Sequence, residues 1–121
     1  MTTATRAEVK NLDAPDETRH FEKGKAEFVT LGGGTVWRSV LEPGWRWSNH
    51  NKATAGTDSC QQTHLGYIIS GRMKVAMDDG TEAELGPTDV MLIPPGHDAW
   101  TLGDEPCSVL DFSGMQGEIV S

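Results

Sequence analysis

The sequence predicts an all-β domain, and three observations carry that prediction. Gly- and Pro-rich breakers recur at short, regular intervals: "LGGG", "EPG", "SG", "DDG", "GPTD", "PPG" and "GDEP". Between them sit short apolar runs rich in Val, Ile, Leu, Thr and aromatic residues, the composition of strands. No segment carries an apolar stripe at helical spacing over three turns.

The elements follow in chain order. Residues 1–25 are polar and charged without a clear period, which predicts an extended arm with one short edge strand. "AEFVTL" and "TVWRSVL" read as strands on either side of the "LGGG" turn. "EPGWRWSNH" follows, and an extended "GWRWS" puts Trp45 and Trp47 on one face. "LGYIISGRMKVAM" reads as two strands around a tight turn at Ser70-Gly71. In "RMKVAMDDGTEAEL", Met73, Val75 and Met77 alternate with Lys74 and Ala76, and Asp79-Gly80 supplies a hairpin turn. A second hairpin is expected in "TDVMLIPPGHDAWTL", where Pro94-Pro95-Gly96 ends one strand before the next begins. "PCSVLDF" reads as a last strand with Cys107 as a packing residue, and 116–121 form a tail.

Composition bounds the function. The chain has 121 residues, enough for one core. Its formal charge is -8, which repels phosphate backbones and argues against nucleic acid as a partner. No apolar run approaches the ~20 residues of a membrane span. The start, "MTTATRAEVK", lacks the apolar stretch of a signal peptide, so a cytoplasmic protein with no membrane partner is expected. In that compartment Cys60 and Cys107 are expected as free thiols. Four Trp among so few aromatics suggest a flat, apolar ligand wall or a packed core.

The spacing of the middle segments resembles the cupin family of small β-barrels. Its motifs run G-x5-H-x-H-x3–4-E-x6-G and G-x5-P-x-G-x2-H-x3-N. Gly44 precedes His50 by the first motif's interval, and Gly71 follows His64 by the interval separating that motif's Glu from its last Gly. Asp89, Pro94 and Gly96 keep the second motif's spacing, with Thr88 in place of its first Gly. The resemblance implies a single-domain jelly-roll β-barrel over 26–115 and a mouth that holds a divalent metal. It also implies a homodimer.

The ligand positions depart from the pattern. Lys52 stands at the second His, His64 at the Glu, Ala99 at the second motif's His and Gly103 at its Asn. A second register places Asp58, Cys60 and His64 on the H-x-H-x3-E spacing. Both registers keep His64 in the pocket, and the sequence leaves the choice between them open. His97 shares a side with Ala99 if "GHDAW" is extended. The metal candidates are therefore His64, Cys60, His50 and His97, a set that suits Zn, Fe or Cu. Trp45, Trp47, Trp100 and Lys52 are the candidates for contacts with a small-molecule ligand. His64 and His97 as acid and base, and Cys60 as nucleophile, remain alternatives, and no catalytic residue is assigned.

Three functions are carried forward. The first is a small cupin binding a divalent metal or a small organic molecule, as a metal-dependent oxygenase, isomerase or cyclase. The second is a metal-free sensor or carrier with a Trp-lined pocket. The third is a structural or partner-binding subunit.

Overall fold

The computed structural model describes residues 6–114. Each apolar run becomes a strand. The order is β1 (Glu17–Phe21), β2 (Gly24–Leu31), β3 (Gly34–Leu41), α1 (Trp47–His50), α2 (Lys52–Ala55), β4 (His64–Ser70), β5 (Arg72–Met77), β6 (Glu82–Leu85), β7 (Val90–Ile93), β8 (His97–Leu102) and β9 (Cys107–Asp111). One sheet has six strands in the order β1-β2-β3-β9-β4-β7, and the other has three in the order β6-β5-β8. All pairings are antiparallel. The tail at 116–121 lies outside the described residues.

Period-2 patterning decides which side chains face inward. In β5, Met73 and Val75 are buried and Arg72 is exposed. In β8, His97, Ala99 and Thr101 are buried while Asp98, Trp100 and Leu102 point the other way. β9 buries Cys107, Val109 and Asp111. Met73, Val75 and Ala99 of the small sheet pack with Leu41, Ile68, Met91, Ile93, Cys107 and Val109 of the large sheet in one core. Gly66 is the close-approach point of the large sheet: a Cβ there would collide with the Leu110 carbonyl of β9.

The jelly-roll arrangement is present, but hydrogen bonding does not close the two sheets into a barrel. Among the described residues, two isolated bridges outside the strand ladders, Arg46 to Trp100 and Cys60 to His97, tie loop segments to β8. The hairpin expected around Pro94-Pro95-Gly96 does not form, because β7 enters the large sheet and β8 the small one. Two consecutive prolines supply no N–H to a ladder, so the chain crosses between sheets at that point. The Ser70-Gly71 turn is likewise a corner between sheets, with Gly71 at φ 77°. The Asp79-Gly80 hairpin forms as expected, closed by the Gly80 N–H on the Met77 carbonyl at 2.9 Å.

The "GWRWS" segment is not extended throughout. Arg46 is in the β region, and α1 begins at Trp47. Asp98 of β8 explains the change. Its Oδ1 accepts the Ser48 N–H at 3.0 Å, and its Oδ2 accepts Arg46 Nε at 3.1 Å. The first turn of α1 thus finds an acceptor for an otherwise unpaired amide. Burial alone would raise the Asp98 carboxyl, but bonds from Ser48, the Ala99 N–H and Arg46 hold it below its ordinary value. The two helical turns cover one end of the space between the sheets. No helix among the described residues is long and apolar enough to cross a membrane.

Candidate metal centre

Between the sheets lies a cavity of about 740 Å³. Phe28, Trp37, Leu41, Met91 and Val109 form its large-sheet wall, and Met73 and Ala99 its small-sheet wall. Trp45, Trp47 and Asn51 reach it from the segment around α1. Arg19, His20, Phe21 and Gln62 also line it.

Cys60, His64 and His97 converge inside it, each offering one ligand atom within 4.8 Å of the others. Three local structures bring them there. His64 opens β4 on its inward phase, like Gly66 and Ile68. His97 opens β8 on its inward phase. Cys60 is held against β8 by backbone bonds: its N–H donates to the His97 carbonyl at 2.7 Å, and its carbonyl accepts the Gly96 N–H at 2.7 Å. The Cys60 to His97 bridge therefore fixes two of the three donors to each other through backbone.

Each histidine has one ring nitrogen engaged. His64 Nδ1 lies 2.6 Å from Asp111 Oδ2, and Asp111 Oδ1 accepts the Ser113 N–H at 2.8 Å and its hydroxyl at 2.6 Å. His97 Nδ1 lies 2.9 Å from the Pro94 carbonyl, which can only accept. Both partners engage Nδ1 and leave Nε2 as the nitrogen that a metal could take once its proton is displaced. The rings sit edge to face with centroids 5.2 Å apart. Cys60 Sγ is 3.8 Å from His64 Nε2. That spacing is near the ~3.6 Å between S and N ligands of a tetrahedral site with ordinary bond lengths.

The electrostatics favour a thiolate. Burial pushes the Cys60 thiol up, but hydrogen bonds from His64, His97 and the Gln62 N–H outweigh it and bring the thiol down to about 6. Burial pushes His64 down, yet the Asp111 carboxylate and the Cys60 sulfur outweigh that and raise it to about 9. Among the described residues Cys107 has no such partners, and burial raises it to about 11. Both cysteines are free thiols.

The remaining sequence candidates divide. Trp45 and Trp47 line the cavity. Trp100 is on the outward phase of β8, stacked under the Arg46 guanidinium at 4.2 Å. Lys52 begins α2 and lies 3.9 Å from Asp58 at the surface. His50 is outside the Cys60/His64/His97 group: its Nδ1 accepts the Arg46 N–H at 3.0 Å, and its Nε2 faces Glu22 at 3.7 Å. Cys60 and His64 line the cavity together, while His50 sits on a helical turn and Asp58, the first position of the second register, is exposed at the surface. Asp111 and Asn51 were not singled out by sequence. A carboxylate on the inward phase of "CSVLD" was the available signal for Asp111.

The donor set fits a transition metal. One thiolate and two imidazoles suit Zn, Fe or Cu, and the carboxylate behind His64 is the usual outer partner of a metal-bound imidazole.

Two antiparallel sheets in jelly-roll order, with a His/Cys cluster between them, have the architecture of a small cupin. Solved structures show the same fold. A sugar phosphate isomerase of the cupin superfamily from Silicibacter pomeroyi superposes with a TM-score of 0.61 at 20% identity, over 86% of this chain and 73% of that one. A deletion mutant of Bacillus subtilis oxalate decarboxylase OxdC gives 0.62 at 17% identity, over 93% of this chain and 32% of that one. The chain thus spans about a third of that decarboxylase. The polyketide cyclase RemF from Streptomyces resistomycificus gives 0.55 at 19% identity, over 75% of this chain and 64% of that one. These likenesses speak for the fold. No protein-family model matches the chain, and no curated protein matches it by sequence.

Proposed function

We propose that this chain is a small cupin in which Cys60, His64 and His97 hold a divalent transition metal facing an aromatic-walled cavity, where a small organic molecule is transformed. The convergence of the three donors carries the reading, because each imidazole has its Nδ1 engaged elsewhere and His64 turns its Nε2 toward Cys60 Sγ. Three protein ligands leave a position open for water or substrate, and a metal there would supply Lewis acidity or an activated water. The chain's own residues do the rest. Asp111 holds the His64 tautomer, the Pro94 carbonyl holds that of His97, and the apolar walls exclude bulk water. The enzyme names of the fold neighbours, a decarboxylase, an isomerase and a cyclase, are in keeping with this reading.

A second reading has its own observation. Sγ of Cys60, His64 and Asp111 form a chain of 3.8 and 2.6 Å, the order nucleophile, base and orienting carboxylate. Without metal, this is an activated thiolate. Elemental analysis of untagged protein purified without chelator separates the two. Near-stoichiometric metal that falls in Cys60→Ala, His64→Ala and His97→Ala is the expected result. Absence of metal even after reconstitution would sink the first reading in favour of the second.

We also infer a homodimer through the outer face of the six-stranded sheet. Leu65, Val90, Leu92 and Phe112 are exposed there, Val90 by 74% and Leu92 by 71%. A contiguous apolar sheet face of this kind is usual at an interface.

A further inference from the structure

We propose that Cys60 is a site of reversible oxidation: in the metal-free protein, hydrogen peroxide entering the cavity converts its thiol to a sulfenic acid, and in that state the centre no longer takes a metal. The oxidation itself stands on the cavity and on His64. Its effect on loading rests on the reading of Cys60, His64 and His97 as metal ligands.

Access and selectivity come from the fold. Cys60 is 8% exposed but lines the cavity of about 740 Å³. The exposed residues Arg19 and Thr54 line the same cavity, so it opens to solvent. A water takes about 30 Å³ of the liquid, and a peroxide of two oxygens therefore has ample room. Cys107 is fully buried and is not among the described lining residues, so a peroxide in the cavity meets one thiol. The oxidised sulfur meets no second thiol among those residues, which leaves it as the sulfenic acid rather than an internal disulfide.

His64 supplies the proton path. Its Nε2 lies 3.8 Å from Cys60 Sγ, and its Nδ1 is held by Asp111 at 2.6 Å. The sulfur attacks one oxygen of the peroxide, so an S–O bond forms and the O–O bond breaks. The electron pair leaves on the other oxygen, which takes the former thiol proton from His64 and departs as water. Sulfur is oxidised by two electrons and the peroxide is reduced by two: thiol and hydrogen peroxide give sulfenic acid and water. A small external thiol reverses the change. It displaces water to form a mixed disulfide, and a second such thiol then releases Cys60.

Of the three donors, Cys60 is the one that such an oxidant changes and a thiol restores. Its backbone stays anchored throughout, because its N–H is bonded to the His97 carbonyl and its carbonyl to the Gly96 N–H, both at 2.7 Å. Oxidation thus removes a thiolate ligand without releasing the segment that carries it. Two imidazoles remain. The sulfur electron pair that attacks peroxide is also the one a metal would take, so loading protects the thiol.

The test treats full-length protein, metal-stripped or zinc-loaded, with hydrogen peroxide and dimedone, a carbon acid that traps sulfenic acids. Peptide mass mapping separates the Cys60 adduct from oxidation of Met73 and Met91, whose side chains line the same cavity. The stripped protein should carry at least about 10-fold more adduct on Cys60 than on Cys107. Zinc should suppress the Cys60 adduct. In His64→Gln, shown folded by circular dichroism, the adduct should form about 10-fold or more slowly. Protein oxidised without dimedone should bind zinc at least about 100-fold more weakly, beyond the loss of an outer partner, and recover after dithiothreitol. No Cys60 adduct in stripped wild-type protein, or equal adducts on the two cysteines, would overturn the proposal without any variant. Wild-type rate in folded His64→Gln, or unchanged zinc affinity after oxidation, would also overturn it. A Cys60 adduct in protein that takes no zinc in either state would sink the metal reading alone. Stoichiometric zinc with no adduct on the stripped protein would sink the oxidation proposal alone.

Discussion

Asp111→Asn is the substitution that most directly tests the proposed metal centre. Asp111 is 3% exposed, and its Oδ2 lies 2.6 Å from His64 Nδ1 while its Oδ1 serves Ser113. Asparagine keeps the shape and can keep the Ser113 bonds through its oxygen. Its NH2 then faces His64 Nδ1, and a donor there requires that nitrogen to accept. The neutral ring responds by carrying its proton on Nε2, the atom meant for the metal. Removing an outer-shell partner of this kind costs about 10–100-fold in metal affinity, or about 1.4–2.8 kcal/mol. The variant also loses a charge-assisted hydrogen bond, worth about 1.5–3 kcal/mol of fold stability. The assay is zinc titration in competition with a chromophoric chelator, beside urea unfolding of the metal-free protein. Zinc affinity within twofold of wild type, in a variant that unfolds at least 1 kcal/mol more easily, would refute the argument. Asp111 would then support the fold without tuning the site.

Three further outcomes are expected. In metal-free protein the Cys60 thiolate absorbance should appear with a midpoint near pH 6, and iodoacetamide at neutral pH should label Cys60 and spare Cys107, whose thiol sits near 11. Stability should vary little with pH through this pair between about 6.5 and 9. The lowered Cys60 contributes stability that is lost as pH falls through 6, and the raised His64 contributes stability that is lost as pH rises through 9. Between those limits folding moves a proton from thiol to imidazole with no net uptake, so a thermal melt series that slopes steeply across this window would contradict the pairing. Gly66→Ala should destabilise by about 1–3 kcal/mol in urea unfolding, because the new Cβ meets the Leu110 carbonyl in the middle of the large sheet. Val90→Lys with Leu92→Lys should convert a dimer to monomer by light scattering with the fold intact by circular dichroism. An unchanged mass would place any interface elsewhere.

Much of the fold was legible because strand signals are local. Alternation in Met73, Val75 and Met77, the Asp79-Gly80 turn and the breakers at Gly71 and Pro94 each depend on a few neighbouring residues. The inward phase shared by His97 and Ala99 follows from the same period of two. Which sheet each strand joins was not legible. A Pro-Pro-Gly turn looks the same whether the chain folds back on itself or crosses to the facing sheet, and here β7 and β8 part company.

The candidate site divides along the same line. By itself the sequence determined an all-β chain with His64 at the head of an inward-facing strand and a cysteine four residues before it. It could not choose between His50 and Cys60 as neighbours of His64, since that choice rests on the Cys60 backbone pairing with His97, 37 residues along the chain. Nor could it find Asp111, 47 residues from the ring it orients. It gave Trp47 and Trp100 equal standing, although one walls the cavity and the other stacks on Arg46 outside it. Those decisions belong to the tertiary structure for one physical reason. Hydrogen-bond partners and cavity walls are set by strand register and sheet packing, and these join residues that no local pattern connects.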